Sequence, residues 1–269
     1  MDGKCFAHGL IDTIYNELYG LAIGKIYKPE QLAYYNRANQ FPKLITINID
    51  GSISSVMLPA LSNEQENKEK VKNMMRRAIK TSSFLLFPMM FGLAAVSEPL
   101  VRIILTDKWL PAVPLMQLLC FSYSLWPIHT INLQAISAMG RSDIFLKLEI
   151  IKKTIGIIAL VISIPFGILF MVIMKIITSI TSSFINSYPN KKLLNYSYIE
   201  QWKDISKSFI ISVVMMLIVY AMNYIKINIY ILLLIQIIIG SIIYFGISYV
   251  SKSDSLMYVT NILKERLKK

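Results

Sequence analysis

Charged residues vanish from four long stretches of this chain: 109–140, 154–174, 208–225 and 227–251 contain no Asp, Glu, Lys or Arg. About 20 apolar residues, rising roughly 1.5 Å each, cross the hydrocarbon core of a bilayer. Each stretch is therefore long enough for at least one span. Weaker apolar stretches lie at 8–25, 44–61, 81–105 and 168–187. The pattern predicts an all-α integral membrane protein of about eight transmembrane helices, at 8–25, 44–61, 81–105, 112–138, 148–164, 168–187, 208–225 and 229–250. Pro165 and Gly167 separate the fifth and sixth, two Ile-rich halves. Barrel strands alternate and are only about ten residues long, which these runs exclude.

Charge in the connections gives an orientation. The N-terminus, 62–80, 139–153, 188–207 and the tail 251–269 hold 20 of the 28 Lys and Arg residues, and the opposite connections hold 7. Positive connections stay inside, so both termini are expected in the cytoplasm, as an even number of spans requires. The expected organisation is a six-span bundle at 1–187, a cytoplasmic connector at 188–207, two further spans within 208–250 and a basic tail at 251–269. Within 62–80 the alternation of acids and bases reads as a short solvated helix, with Glu66 and Lys70 four apart. Trp109 and Trp202 fall at predicted span edges, where an indole buries its ring and keeps its N–H wet.

Composition agrees with the pattern. Hydrophobic residues make up 55% of the chain and charged ones 16%, with a mean hydropathy of +0.53. A soluble domain carries about 25% charged residues, so a soluble enzyme is excluded. The net charge of +12 is spread between apolar stretches rather than gathered on one face, which argues against a nucleic-acid partner. Cys5 and Cys120 lie far apart with no metal-ligand spacing, and His8 and His129 are too few for most metal chemistry. Asp12 and Glu17 in the first apolar stretch speak against a cleavable signal peptide.

The informative residues are polar ones inside spans, where a charge costs roughly 2.5–3.5 kcal/mol on insertion scales. Lys175 shares one helical face with Thr178, Ser179, Ser182 and Asn186. Such a stripe faces protein or a water-filled cavity. Alternatively, Lys175 snorkels to the interface while the hydroxyls serve helix packing. His8, Asp12, Tyr15, Asn16 and Tyr19 share a face of the first helix; Asn48, Ser52 and Ser55 share one on the second, with Asp50 on another. A carboxylate at such a depth carries a proton or holds Na⁺, or else is solvated at the membrane edge. Glu98 and Arg102 are spaced for an ion pair. Trp126-Pro127 lies mid-way along the fourth helix, followed by His129, Asn132 and Gln134; proline kinks a helix, and interrupted helices are where transporters build sites. No GxGxxG, P-loop, HExxH or GxSxG motif is present.

Five segments go beyond composition: 34–41 (YYNRANQF), 54–62 (SSVMLPALS), 92–114 (GLAAVSEPLVRIILTDKWLPAVP), 133–153 (LQAISAMGRSDIFLKLEIIKK) and 186–198 (NSYPNKKLLNYSY). They resemble the Wzx-type flippases of O-antigen and capsule assembly, within the MATE-like exporter superfamily. The resemblance implies one lobe of a two-lobed exporter plus two extra C-terminal helices, similar to the last eight of fourteen. The N-terminal lobe is absent from this pattern, so the chain is expected to be a partial flippase that needs a separate lobe or surface-polysaccharide assembly proteins as partners. The implied cargo is an undecaprenyl-diphosphate-linked oligosaccharide, moved across the bacterial cytoplasmic membrane with no cofactor but an H⁺ or Na⁺ gradient. On that reading Arg37, Lys175 and Arg141 are the cations nearest the path, and Tyr15, Tyr34 and Tyr35 stack on sugars. Asn16, His129, Gln134 and Ser179 line the path, and Asp12 and Asp50 are the coupling candidates. A multidrug exporter, a membrane glycan enzyme and a nonfunctional fragment are the competing readings.

Overall fold

The computed structural model describes residues 18–258 and residue 260. Helix α1 is helical over 18–26, so most of the predicted first helix, with His8, Asp12, Tyr15 and Asn16, lies outside the described residues. It is followed by α2 (Pro29–Asn63), α3 (Lys68–Ala95), the short α4 (Ser97–Ile104) and a 3₁₀ turn at Asp107–Ala112. Then come α5 (Val113–Ser124), α6 (Trp126–Ala138), α7 (Ser142–Ser163), α8 (Ile168–Leu194), α9 (Tyr198–Ala221) and α10 (Ile229–Val250). The described residues contain no strand, as an all-α membrane protein requires.

Several predicted boundaries move, for one recurring reason: polar residues do not end a helix. The predicted connection 24–43 shrinks to Tyr27 and Lys28, because Pro29 sits at the first helical position and the Lys, Arg, Asn and Gln residues beyond it continue the helix. Helix α2 reaches 35 residues, about 50 Å. The basic 62–80 stretch becomes the first turns of α3, capped by the Asn67 side chain, which accepts from the Lys70 amide at 3.0 Å. Lys70 bridges Glu64 rather than Glu66. The 188–207 connector is helical except at 195–197, where Asn195 is left-handed at φ 51° and Ser197 with Glu200 forms a capping box that starts α9.

Other boundaries hold. Gly167, at φ 92°, turns the chain between α7 and α8 at the Pro165–Gly167 break. The fourth predicted helix is broken at the single residue Leu125 into α5 and α6, with Pro127 in the first turn of α6, and Leu125 itself keeps right-handed helical backbone angles. Among the described residues five helical segments are long and apolar enough to cross a membrane: Pro29–Asn63, Lys68–Ala95, Ile168–Leu194, Tyr198–Tyr224 and Ile229–Val250. This is a multi-pass membrane protein.

Two buried clusters share α3. One joins α3 to α6, α9 and α10 through Phe84, Phe87, Phe91, Ile131, Ile205 and Met215. The other joins it to α1, α2, α5 and α8 through Ile23, Ala38, Met90, Leu119 and Met171. The outer helices invert the soluble pattern. On α10 the buried residues are Leu232, Gln236, Gly240, Tyr244 and Ser248, one every fourth position, while Ile231, Leu234, Ile238 and Ile242 face out. Lipid tails are as apolar as leucine, so close packing and hydrogen bonds hold such a helix. Pro88 lacks the N–H that would pair with the Phe84 carbonyl, and the Tyr244 hydroxyl donates to that carbonyl instead, at 2.7 Å. Gln236 donates to the Val219 carbonyl at 3.1 Å and to Asn223 at 2.9 Å, and a Cβ on Gly240 would sit 3.2 Å from Val219.

Candidate functional site

Lys175 lies within α8, seven residues after its start at Ile168. Its ammonium donates to the Tyr35 hydroxyl at 3.2 Å and lies 5.4, 5.8 and 5.6 Å from the ring centroids of Tyr19, Tyr35 and Tyr123. Helices α1, α2 and α5 thus each place a tyrosine around one cation. Tyr123 is fixed in turn, since its hydroxyl donates to Asn39 at 3.0 Å. Ring faces attract an ammonium by about 0.5–2 kcal/mol each, more when desolvated. They orient the charge without cancelling it. Among the described residues Lys175 forms no ion pair, and it is held inward rather than snorkelling.

One turn along, the stripe faces α5 and α6. Ser179 donates to the Ser122 carbonyl at 3.1 Å, so its oxygen accepts from His129 Nε2 at 3.2 Å. His129 Nδ1 then faces the Asn186 amide N–H at 3.4 Å, which assigns the imidazole to its Nε2–H form. Below this lies an amide cluster, fully buried. Asn132 and Gln201 exchange hydrogen bonds at 2.8 and 3.0 Å, and Asn190 donates to Asn132 at 2.7 Å, tying α6, α8 and α9 together. Asn190 and Gln201 fell in the stretch read as a connector, so periodicity gave no reason to pair them with Asn132.

The remaining candidates do not converge on Lys175. Arg37 stacks on Trp109 at 5.5 Å and donates to Gln40, and Tyr34 meets the same indole edge-on at 5.8 Å, a separate cluster on α2 and the 3₁₀ turn. Gln134 donates to Ser54 at 2.6 Å, linking α6 to α2. Asp50 is half-buried and shares a small recess with Thr46, Trp126 and Thr130. Arg141 is already engaged by Asp143 through two hydrogen bonds, at 2.9 and 3.0 Å, and the guanidinium holds that carboxyl down at about 2. Glu98 and Arg102 pair as expected, at 3.1 Å, and Arg102 also reaches Asp107. Trp202 is packed between Tyr198 and Phe209 rather than standing free at an edge.

The sequence reading missed a charged cluster on α7. Glu149 and Lys153 are buried, each 7% exposed; Glu149 accepts from Lys152 and lies 3.5 Å from Lys153. Their i, i+3, i+4 spacing is the available signal, but they fall where the connection 139–153 overlaps the predicted helix 148–164 and count there only as loop charge. Among the described residues no cluster of His, Cys, Asp or Glu suits a metal ion.

Known proteins bear on this geometry. Residues 3–114 match the family profile described as "Polysaccharide biosynthesis protein" (Polysacc_synt_3). The teichuronic acid biosynthesis protein TuaB of Bacillus subtilis (strain 168) is 25% identical over 124 residues, 46% of this chain and 26% of that protein. The lipopolysaccharide biosynthesis protein WzxC of Escherichia coli (strain K12) is 26% identical over 157 residues, 58% of this chain and 32% of that protein. The chain is similar to the polysaccharide exporters. The resemblance read from its residues is thereby borne out. Its fold matches that of the lipid II flippase MurJ in its inward closed conformation, with a TM-score of 0.78 at 20% identity, over 93% of this chain and 53% of that one. The chain thus spans about a third or less of these curated relatives, and about half of the solved flippase. The MATE-like label is a looser kinship.

Proposed function

We propose that this chain is part of a carrier that moves a lipid-linked oligosaccharide with a diphosphate linkage across the bacterial cytoplasmic membrane, for surface-polysaccharide assembly. One observation carries the reading: Lys175 is a mid-helix cation that three tyrosines orient and that no carboxylate among the described residues neutralises. A diphosphate supplies the missing charge, Lys175 acts as its point-charge partner, and tyrosine rings and hydroxyls suit sugars. A cationic drug as cargo would meet repulsion here. The names of TuaB and WzxC, and the MurJ-like fold, support the same class of cargo.

Transport needs a second wall. Asn48, Ser52 and Ser55 stand exposed on α2, polar groups that lipid tails do not solvate, and a facing lobe supplied by a longer carrier or a separate chain would cover them. Asp50, in its recess on α2, is the coupling carboxylate among the described residues for an H⁺ or Na⁺ gradient, with Asp12 the other candidate. Both termini face the cytoplasm on this reading. Catalysis is not required. His129 and Ser179 lie at the distance of a base and nucleophile, but Ser179 donates to a backbone carbonyl and His129 donates to Ser179, the reverse of an activated hydroxyl.

The test is binding by the purified full chain. Undecaprenyl diphosphate should bind in preference to undecaprenol, and Lys175→Ala should remove that preference while Lys175→Arg keeps part of it. Equal preference in wild type and the Ala variant would overturn the reading.

A further inference from the structure

We propose that the seam between α3 and α10 is a binding site for one anionic membrane phospholipid, its phosphate at Arg77 and an acyl chain along the groove below. Two grooves follow one another along a single face of α3. The polar one, about 450 Å³, is lined by Asn73, Arg76, Arg77, Lys80 and Thr81 of α3 and by Asp254, Ser255 and Tyr258 beyond α10. The apolar one, about 400 Å³, continues along Leu85, Pro88, Met89 and Gly92 of α3, with Ile237 and Gly240 of α10 opposite. Arg77, Thr81, Leu85 and Met89 are spaced by four, so they stack along one side of the helix and cover about 18 Å of rise. A head group and the first part of a chain fit that order of chemistry.

Charge selects the occupant. Arg76 is matched by Asp204 at 2.7 Å and Lys80 by Asp254 at 3.0 Å. Arg77 is exposed and forms no ion pair among the described residues; its guanidinium lies 4.9 Å from the Tyr258 ring centroid. Stacking holds the plane of the fork and leaves its N–H edge open, the geometry that takes two phosphate oxygens at once. Asn73 and Thr81 add donors from the same wall. The three basic residues of the polar groove outnumber its one acid, Asp254, so a neutral or cationic head group is disfavoured. Lys175 belongs to the other core, against α1, α2 and α5, and the two sites do not share a residue.

Native mass spectrometry of the purified full chain, titrated with dioleoyl-phosphatidylglycerol or dioleoyl-phosphatidylcholine, decides the matter. Wild type should retain the anionic lipid about tenfold better, the size of one charged hydrogen-bonding contact. Arg77→Ala should bring phosphatidylglycerol down to the phosphatidylcholine level with an unchanged melting temperature, and Arg77→Lys should keep part of the difference. Dihexanoyl-phosphatidylglycerol, too short to reach the apolar groove, should bind more weakly than the dioleoyl lipid. Lys175→Ala should leave all of this intact, which separates the result from the fate of the diphosphate reading. Equal retention of the two head groups, or of the anionic lipid by wild type and Arg77→Ala, overturns the proposal. So does displacement of phosphatidylglycerol by undecaprenyl diphosphate from the Lys175→Ala chain, which would assign the seam to the prenyl lipid.

Discussion

Arg76 and Lys175 are both cations placed over tyrosine rings, and they end in opposite electrostatic states. Arg76 lies 5.9 Å from the Tyr196 ring centroid, forks onto Asp204 at 2.7 and 2.8 Å, and Asp204 also accepts from the Tyr196 hydroxyl at 2.8 Å. Desolvation and the neighbouring carboxylate both push the Tyr196 phenol upward, so it stays a donor. That cluster is closed, and it fastens α3 to α9. Around Lys175 the described residues place three rings and a hydroxyl but no acid. Aromatic residues position a charge in either case, while the presence of a carboxylate decides whether the charge is spent on the fold or kept for a ligand.

Removing the open charge should have the largest effect. In a complete carrier, Lys175→Ala should abolish complementation of a flippase-deficient strain at normal membrane levels, and Lys175→Arg should restore part of it. Surface-glycan assays read the outcome. Full activity of the Ala variant would place Lys175 with the fold rather than the cargo. A sharper version leaves the lysine in place and closes the cluster. Asn39 accepts from Tyr123, whose ring faces Lys175, so Asn39→Asp supplies a carboxylate where Asp204 stands in the other cluster. Diphosphate binding should fall about tenfold, the worth of one such charged contact, with no loss of melting temperature.

Opening the closed cluster should act on stability instead. Arg76→Ala leaves Asp204, 7% exposed at its side chain, with the Tyr196 hydroxyl as its one side-chain donor among the described residues. Breaking a fully buried pair costs about 3–5 kcal/mol, and the 43% exposure of Arg76 reduces this to about 2 kcal/mol. Thermal unfolding in detergent should register it, and diphosphate binding by the surviving folded protein should be unchanged.

Much of this contrast was partly legible in the residues. The charge-free runs announced α10 and the apolar parts of α8 and α9, and Lys175 with Ser179 and Asn186 was readable as a stripe because all three lie on one uninterrupted helix. The cage was not. Tyr35 falls in a predicted connection, since 30–43 is too polar to look like a span, and Tyr123 carries no signal on an apolar helix. Asn190 and Gln201 escape for the same reason: hydropathy bounds the predicted spans, whereas helices continue through polar residues until a cap or a left-handed residue stops them. Asp12, Tyr15 and Asn16 lie outside the described residues, so of the polar face predicted on the first helix only Tyr19 enters the comparison.

The smallest effect tests whether a tyrosine hydroxyl fastens helices without any charge. Tyr244 donates to the Phe84 carbonyl, the acceptor that Pro88 orphans four residues later. Tyr244→Phe leaves that carbonyl buried and unbonded. Hydrogen bonds between membrane helices average well under those in water-soluble cores, so the expected loss is about 1 kcal/mol. The same loss would follow from disturbed packing, because Tyr244 also meets Phe84 at a ring distance of 5.2 Å. Pro88→Ala separates the two causes. It restores an N–H to α3, and the Phe84 carbonyl then has a partner within its own helix. In the Pro88→Ala background, Tyr244→Phe should therefore cost close to nothing if the hydrogen bond is what matters, giving a coupling of about 1 kcal/mol across the double-mutant cycle. An undiminished cost in that background would assign the role of Tyr244 to its ring alone, and the hydroxyl would drop out of the account of how α10 is held.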